Sequence, residues 1–280
     1  MAELTNAHYG LDAPAVVVGN AVGGTAALAG AGITWAAGRQ RHRVPAAVLA
    51  GWLALWGTVA VAQAGLMVRS SRTGKLRERD RLLDDLPWRG DEWVLDIGCG
   101  RGLLLIGAAK RLTTGRAVGL DLWRTQDQAG NDPVATMANA IAEGVAQRVE
   151  LCDGDARRLP FDDHTFDVVV SSLAVHNIPG ALGRAAAIDE ITRVLKPGGH
   201  VALLDFRNTS HYATALATAG LDDLHRTERH FGMYPPVRVV TAAKAVLDRI
   251  AARKADPEFQ NELRKTIKLN QRALERLAES

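Results

Sequence analysis

Residues 94–102 read VLDIGCGRG, three glycines within five positions directly behind an apolar run that contains Asp96. The stretch EWVLDIG has the length and apolar character of a short buried strand, and RGLLLIGAAKRL after it reads as a helix. Gly98, Gly100 and Gly102, with Cys99 among them, therefore fall in a strand-to-helix turn. Lacking Cβ atoms, they allow a ligand to approach the backbone closely and permit the dihedrals such a turn needs. Asp121, at the end of GRAVGLDL and nineteen residues beyond Gly102, stands where an acid would hold the hydroxyls of a ribose.

Working outward, KLRERDRLLDDL is predicted to be a helix stopped by Pro87, and GRAVGLDL a second strand. Asp132-Pro133 is a helix start, with Asp as cap and Pro in the first turn, and Gly144 ends that helix. QRVEL and FDVVVSSL are further strands, and a helix from about 181 to 196 ends at Pro197-Gly198-Gly199. HVALLDF is a strand, HYATALATAG a helix, and VRVVTA a closing strand. Strands alternating with helices predict an α/β fold over residues 73–244, a doubly wound, mostly parallel, seven-stranded sheet. Ligands of such sheets lie beyond the carboxyl ends of the strands, where the strand order switches.

The spacing Gly98-x-Gly100-x-Gly102 differs from the G-x-G-x-x-G of dinucleotide sites, which disfavours an NAD-dependent oxidoreductase. An acid just before the loop, Asp96, would repel a pyrophosphate but suits an ammonium group. A ligand with a ribose, an ammonium and no phosphate is S-adenosylmethionine. With these residues in view, the chain resembles the class I S-adenosylmethionine-dependent methyltransferases, Rossmann-like proteins. VLDIGCGRG is similar to their first motif, GLDL to the ribose acid, GDARRLPF to the adenine segment, and EITRVLKPGGHVALLDF to the late helix-turn-strand, covering roughly residues 75–244. The resemblance implies that Asp96 and the loop backbone at Gly98, Cys99, Gly100 and Gly102 hold the methionine part and Asp121 the ribose. It implies Asp155 at the adenine amino group, the Ala156 backbone at a ring nitrogen, and Leu122 or Trp123 on the adenine face.

Ser171, Ser172, His176 and Asn177, in VVSSLAVHNIP, follow the fourth strand at the mouth facing the methyl group, with Ser171 counted among the cofactor contacts. His176 is the candidate catalytic base for an acceptor hydroxyl, since an unperturbed imidazole titrates near pH 6.5; shaping the pocket is the alternative role. The polar segment Thr125 to Pro133 is a candidate rim. His211, Tyr212, His225, His230, Phe231 and Tyr234 are candidates for an acceptor cavity; none of these makes a metal set.

Two segments without charge, 13–38 and 44–68, precede this pattern, each long enough to cross a bilayer. They predict an N-terminal transmembrane hairpin within residues 1–72, with Gly19 and Gly23 as a close-approach pair; a buried soluble hairpin is the alternative. Arg39, Arg41 and Arg43 compete with Arg69, Arg72, Lys75 and Arg77 over orientation, and a cytoplasmic catalytic domain is the expectation. Residues 245–280 predict a helical tail whose stripe from Phe259 through Leu263, Ile267 and Leu274 suits docking or pairing; a homodimer through hairpin or tail is the corresponding partner. A net charge of +3 gives no case for nucleic acid, and two cysteines are too few for a disulfide framework. The sequence thus points to a membrane-anchored methyltransferase of a small or lipid-like acceptor; a membrane-bound sensor that binds the cofactor without turnover is the rival.

Overall fold

The computed structural model describes residues 7–38, 43–124 and 130–246, with residues 260, 261 and 264. Nearly all of the tail and residues 125–129 of the predicted rim lie outside the described residues. Two long helices, α1 (Pro14–Gly38) and α2 (Arg43–Arg69), precede α3 (Lys75–Asp84). Then come β1 (Trp93–Ile97), α4 (Leu103–Ala109), β2 (Arg116–Asp121), α5 (Pro133–Ala142), β3 (Val149–Asp153) and β4 (Phe166–Ser172). The domain finishes with α6 (Ala181–Val194), β5 (Leu195–Asp205), α7 (Thr209–Thr218), β6 (Leu221–Arg226) and β7 (Arg238–Lys244).

The seven strands form one sheet in the order β3-β2-β1-β4-β5-β7-β6. The first five of these are parallel, and β7 runs antiparallel to both β5 and β6. The chain winds outward from β1 in one direction to β3 and in the other from β4, so the switch lies between β1 and β4. Alternation along the strands sorts the core. Val94, Val168, Val170 and Ala202 pack with Leu83, Leu105 and Ile106 on one face. Leu95, Ile97, Val169, Val201 and Leu203 pack with Ile188, Ile191 and Leu216 on the other.

Two elements differ from the sequence-based expectation. β6, LDDLHR, was not predicted: it is an edge strand with only Leu221 buried, so it carries no apolar alternation. α6 stops at Val194, and Pro197-Gly198-Gly199 lies inside β5. The partner strand skips a register step there, with Phe166 opposite Leu195 and Val168 opposite His200, and the Pro-Gly-Gly residues form the bulge that absorbs it.

The N-terminal helices are long and apolar enough to cross a membrane by length and composition. They pack on each other along one narrow seam. A Cβ at Gly24 would lie 2.9 Å from the Gly57 carbonyl, and one at Gly57 would lie 2.7 Å from the Gly24 carbonyl, so these two glycines set the crossing. The predicted pair is displaced: Gly19 meets nothing and Gly23 only the rim of Trp56. Away from the seam Val18, Val22, Ile33, Trp35, Val48, Trp52, Leu55 and Val59 are exposed. A buried soluble hairpin would hide these side chains, and this one does not.

The division drawn after residue 72 falls within an unbroken helix. α2 continues through a π turn, Ser70–Gly74, into α3, giving 41 helical residues from Val44 to Asp84. The π turn is seated on the domain: Tyr234 N donates to Ser70 Oγ at 2.9 Å, and a Cβ at Gly74 would lie 2.3 Å from the Gly232 carbonyl. One turn on, His230 Nδ1 lies 2.8 Å from Glu78 Oε2 with both side chains largely buried.

Candidate active site

β1 delivers the glycine turn to the switch point. Gly98, Gly100 and Gly102 all have positive φ, at 68°, 51° and 84°. At Gly98 a Cβ would stand 2.2 Å from the Ala174 methyl, so the turn is wedged against the segment after β4. Asp121 at the end of β2 holds the turn open: its Oδ2 accepts from Gly100 N at 2.8 Å and its Oδ1 from Trp123 N at 2.7 Å and Asn131 Nδ2 at 3.2 Å. Asp96 Oδ2 accepts from Leu105 N in the first turn of α4 at 2.8 Å. Asp96 is 2% exposed, and burial, with Asp121 nearby, pushes its carboxyl up to about 8 despite that hydrogen bond.

These groups line a cavity of about 580 Å³. Of the predicted residues Asp96, Gly98, Cys99, Gly100, Asp121, Leu122, Asp155, Ala156 and His176 are on its wall. Three are not. Gly102 acts through its backbone, capping α4 in a left-handed conformation. Trp123 turns away, its indole donating to Asp153, whereas Leu122 lies on the cavity wall. Ser171 is 1% exposed and donates to the Ile97 carbonyl at 2.7 Å; strand alternation puts Ser172 on the cavity instead. Burial pushes the Cys99 thiol well above its usual range, which disfavours the thiolate. Asp155 is engaged by Arg157, Nη2 to Oδ2 at 2.6 Å, and that pairing holds its carboxyl below the usual range.

His176 is fixed by a partner on the neighbouring strand. Its Nδ1 lies 2.9 Å from Oδ1 of Asp205 at the end of β5, and its ring meets Phe206 edge-on at 4.6 Å. Asp205 is itself 1% exposed and accepts from Tyr212 Oη at 3.0 Å and Phe206 N at 2.8 Å. Tyr212 thus serves from behind, and burial beside Asp205 raises its phenol far above the normal range. Of the other aromatic and histidine candidates only Tyr234 reaches this wall; Phe231 is exposed, and His225 and His230 flank a separate hollow.

Asn131, within the polar rim predicted from the sequence, is 5% exposed, and its side-chain Oδ1, beside Asp121, has no hydrogen-bond partner among the described residues. Other wall residues carry no signal of their own in the sequence. Lys75, 3% exposed, donates to the Tyr9 and Gly10 carbonyls at 2.8 Å each and to Asp12 Oδ1 at 3.2 Å, and burial lowers its ammonium's pKa. It straps residues 9–12 across the site, while Arg101 Nε and Asn139 Nδ2 both donate to the His8 carbonyl. Asp12, Ala13 and Val16 before and within α1, and Gln63 and Met67 of α2, complete the wall.

The donor set fits S-adenosylmethionine. A buried carboxyl with spare acceptor capacity suits an ammonium, and Asp121 with the orphaned Asn131 oxygen suits the two hydroxyls of a ribose. Residues 95–203 match the model of a methyltransferase domain family. The demethylmenaquinone methyltransferase of Staphylococcus aureus (strain MRSA252) is 35% identical over 128 residues, 45% of this chain and 48% of that protein. The chain thus spans about half the length of the curated relatives it matches. Among solved structures, the [4+2]-cyclase SpnF matches with a TM-score of 0.50 at 20% identity over 61% of this chain and 82% of that one. The YcgJ protein of Bacillus subtilis matches with a TM-score of 0.50 at 16% identity over 60% and 99%. At these identities the structures testify to the fold alone. Glycine turn, paired acids, strand order and matched family model agree: residues 95–203 form a methyltransferase domain, set in a sheet with the strand order of the methyltransferase fold.

Proposed function

We propose that this protein is a membrane-anchored enzyme that transfers a methyl group to a small lipophilic acceptor, of the lipid, quinone or terpenoid kind. The observation that carries this reading is a single cavity shared by Asp96, Asp121 and His176 with the domain-side ends of two outwardly apolar helices. S-adenosylmethionine supplies an electrophilic methyl on a sulfonium and a thioether leaving group. The chain positions the partners, which alone is worth up to about 7–11 kcal/mol when the geometry is right, and excludes water with Leu103, Leu104, Val175 and Phe206. Asp96 accepts from the ammonium, and Asp121 and Asn131 hold the ribose. Because the Asp205 carboxylate only accepts, Nδ1 of His176 carries the proton and Nε2 is left to take one from an acceptor hydroxyl. Asp205 is the positioning residue of this pair.

α1 begins and α2 ends at the domain, so the C-terminal end of α1 and the N-terminal end of α2 belong to the opposite side. We place the domain, with Arg69, Arg72 and Arg77, in the cytoplasm. The relative named for demethylmenaquinone supports a quinone-like acceptor. Methyl-labelled S-adenosylmethionine given to native membranes containing the full chain tests the reading, with Asp96→Ala membranes as control. Enzyme-dependent label is expected in the lipid fraction. Label in protein or aqueous fractions would overturn the acceptor class, and cofactor binding with no label anywhere would favour the sensor.

A further inference from the structure

The cavity continues past the catalytic domain into the hairpin. Val16, in the first turn of α1, stands half exposed at its edge, and Gln63 and Met67, one turn apart on α2, form its far wall with Met233 and Tyr234. Methionines and an aromatic ring make a soft surface that accommodates flat or flexible apolar groups. Gln63 does not belong to that pattern. From Val44 to Val68 the only side chains with amide or hydroxyl groups are Thr58 and Gln63. The Thr58 hydroxyl donates back to the Ala54 carbonyl at 2.7 Å and is thereby satisfied within its own helix. Gln63 is half-buried, lines the cavity, and makes no such bond within its own helix among the described residues. It lies six positions before Arg69, which places it roughly 9 Å along the helix into the apolar stretch. A primary amide at that depth is costly unless something polar meets it.

We propose that the acceptor is admitted sideways from the bilayer, along the groove beside the packed domain-side ends of α1 and α2, and that Gln63 hydrogen-bonds its polar head. This rests on the membrane reading above. The chemistry that fits is an amphipathic lipid: a compact head bearing a hydroxyl or carbonyl, with an apolar chain that stays among the lipid tails. The depth of Gln63 agrees with such a head, which settles just beneath the interface while its chain remains in the hydrocarbon. Met67 and Val16 frame the passage, and His176 waits further along the same cavity. No extraction of the whole lipid into water is then required, because only the head travels.

The test uses full-length protein in native membranes and the lipid-fraction label of the preceding experiment, with S-adenosylhomocysteine binding as a second readout. Val16→Trp plugs the passage at an exposed position; Gln63→Leu removes the amide and keeps the segment apolar. Both are expected to cut the lipid label at least about ten-fold, the scale of one lost buried hydrogen bond or one blocked contact, while S-adenosylhomocysteine affinity stays within about two-fold. Leu55→Trp, an equally bulky change on the outward face of α2, is expected to leave both readouts unchanged. Wild-type lipid label that neither Val16→Trp nor Gln63→Leu lowers would overturn lateral admission and leave the membrane reading standing. Loss of S-adenosylhomocysteine binding in step with the label would also overturn it, since the residues would then support the fold. Absence of lipid label from the wild type would take down the underlying reading itself.

Discussion

On the proposed reading, one end of the cavity recognises the cofactor by hydrogen bonds and the other the acceptor by shape and exclusion. The cofactor end gathers Asp96, Asp121, Asn131 and the glycine turn, four features within about forty residues, each tied to backbone or to its neighbour. The acceptor end takes Val16, Met67, His176, Phe206 and Tyr234 from five distant parts of the chain, and mostly apolar surface faces inward. A polar, invariant ligand can be met by fixed polar partners, since each missing partner leaves a buried group unsatisfied. A lipophilic ligand offers few such handles, so its end of the site needs walls from wherever the fold can supply them, plus one oriented base.

Breaking the acceptor end should cost the most. His176→Ala removes the only imidazole on the cavity wall among the described residues, and turnover is expected to fall by about 10²–10⁴-fold with cofactor affinity nearly intact. Steady-state rates and S-adenosylhomocysteine titration check this; parallel loss of both would make His176 a structural residue. Next is the cofactor end. Asp121→Ala deprives Gly100 N, Trp123 N and Asn131 of their acceptor as well as the ribose of its own, and affinity is expected to fall about 100-fold, or about 3 kcal/mol, by calorimetry. Unchanged affinity would mean that the ribose lies elsewhere.

Asp96 sharpens the contrast through pH. Its carboxyl titrates near 8 in the folded protein and near 4 when unfolded. Below pH 4 both states hold the proton and burial costs nothing. Between 4 and 8 the folded state keeps a proton that the unfolded state has lost, so stability falls as pH rises, and the full penalty applies above 8. Asp96→Asn should therefore stabilise the ligand-free protein by about 1–3 kcal/mol more at pH 9 than at pH 5, read from melting curves. A gain independent of pH would show that Asp96 is ionised throughout. The smallest effect is expected at Asn131→Ala, about 1 kcal/mol in cofactor affinity, because Asp121 still holds the turn and the ribose. A loss as large as that of Asp121→Ala would make Asn131 the principal contact.

This contrast also explains what could be read in advance. The proposed cofactor end is local in sequence, so VLDIGCGRG and GLDL name in advance residues that the fold brings to one cavity, Asp96 and Asp121 among them. Parity within a strand is less legible: two adjacent serines offer the same chemistry, and only the pleat assigns Ser172 to the cavity and Ser171 to the core. Asp205 closes on His176 across 29 residues and a strand neighbour, so nothing near VVSSLAVHNIP announces it. The glycine crossing fails for a related reason. α1 is rich in small residues, and only the register between two helices selects Gly24 over Gly19 and Gly23. β6 stayed invisible because an edge strand with one buried residue has no period to read.

The helix that runs unbroken from Val44 to Asp84 joins the hairpin to the catalytic mouth without a hinge. A bilayer thicker or thinner than the apolar stretch is met by tilting or by stretching the surrounding lipid. With a flexible linker that adjustment would end at the interface. Here the π turn is bolted to the domain through Ser70 and Gly74, so, on the proposed membrane reading, any tilt passes to the mouth. Hydrophobic mismatch would then control catalysis: turnover on a membrane-borne acceptor should peak at one acyl-chain length, while cofactor affinity stays indifferent to it.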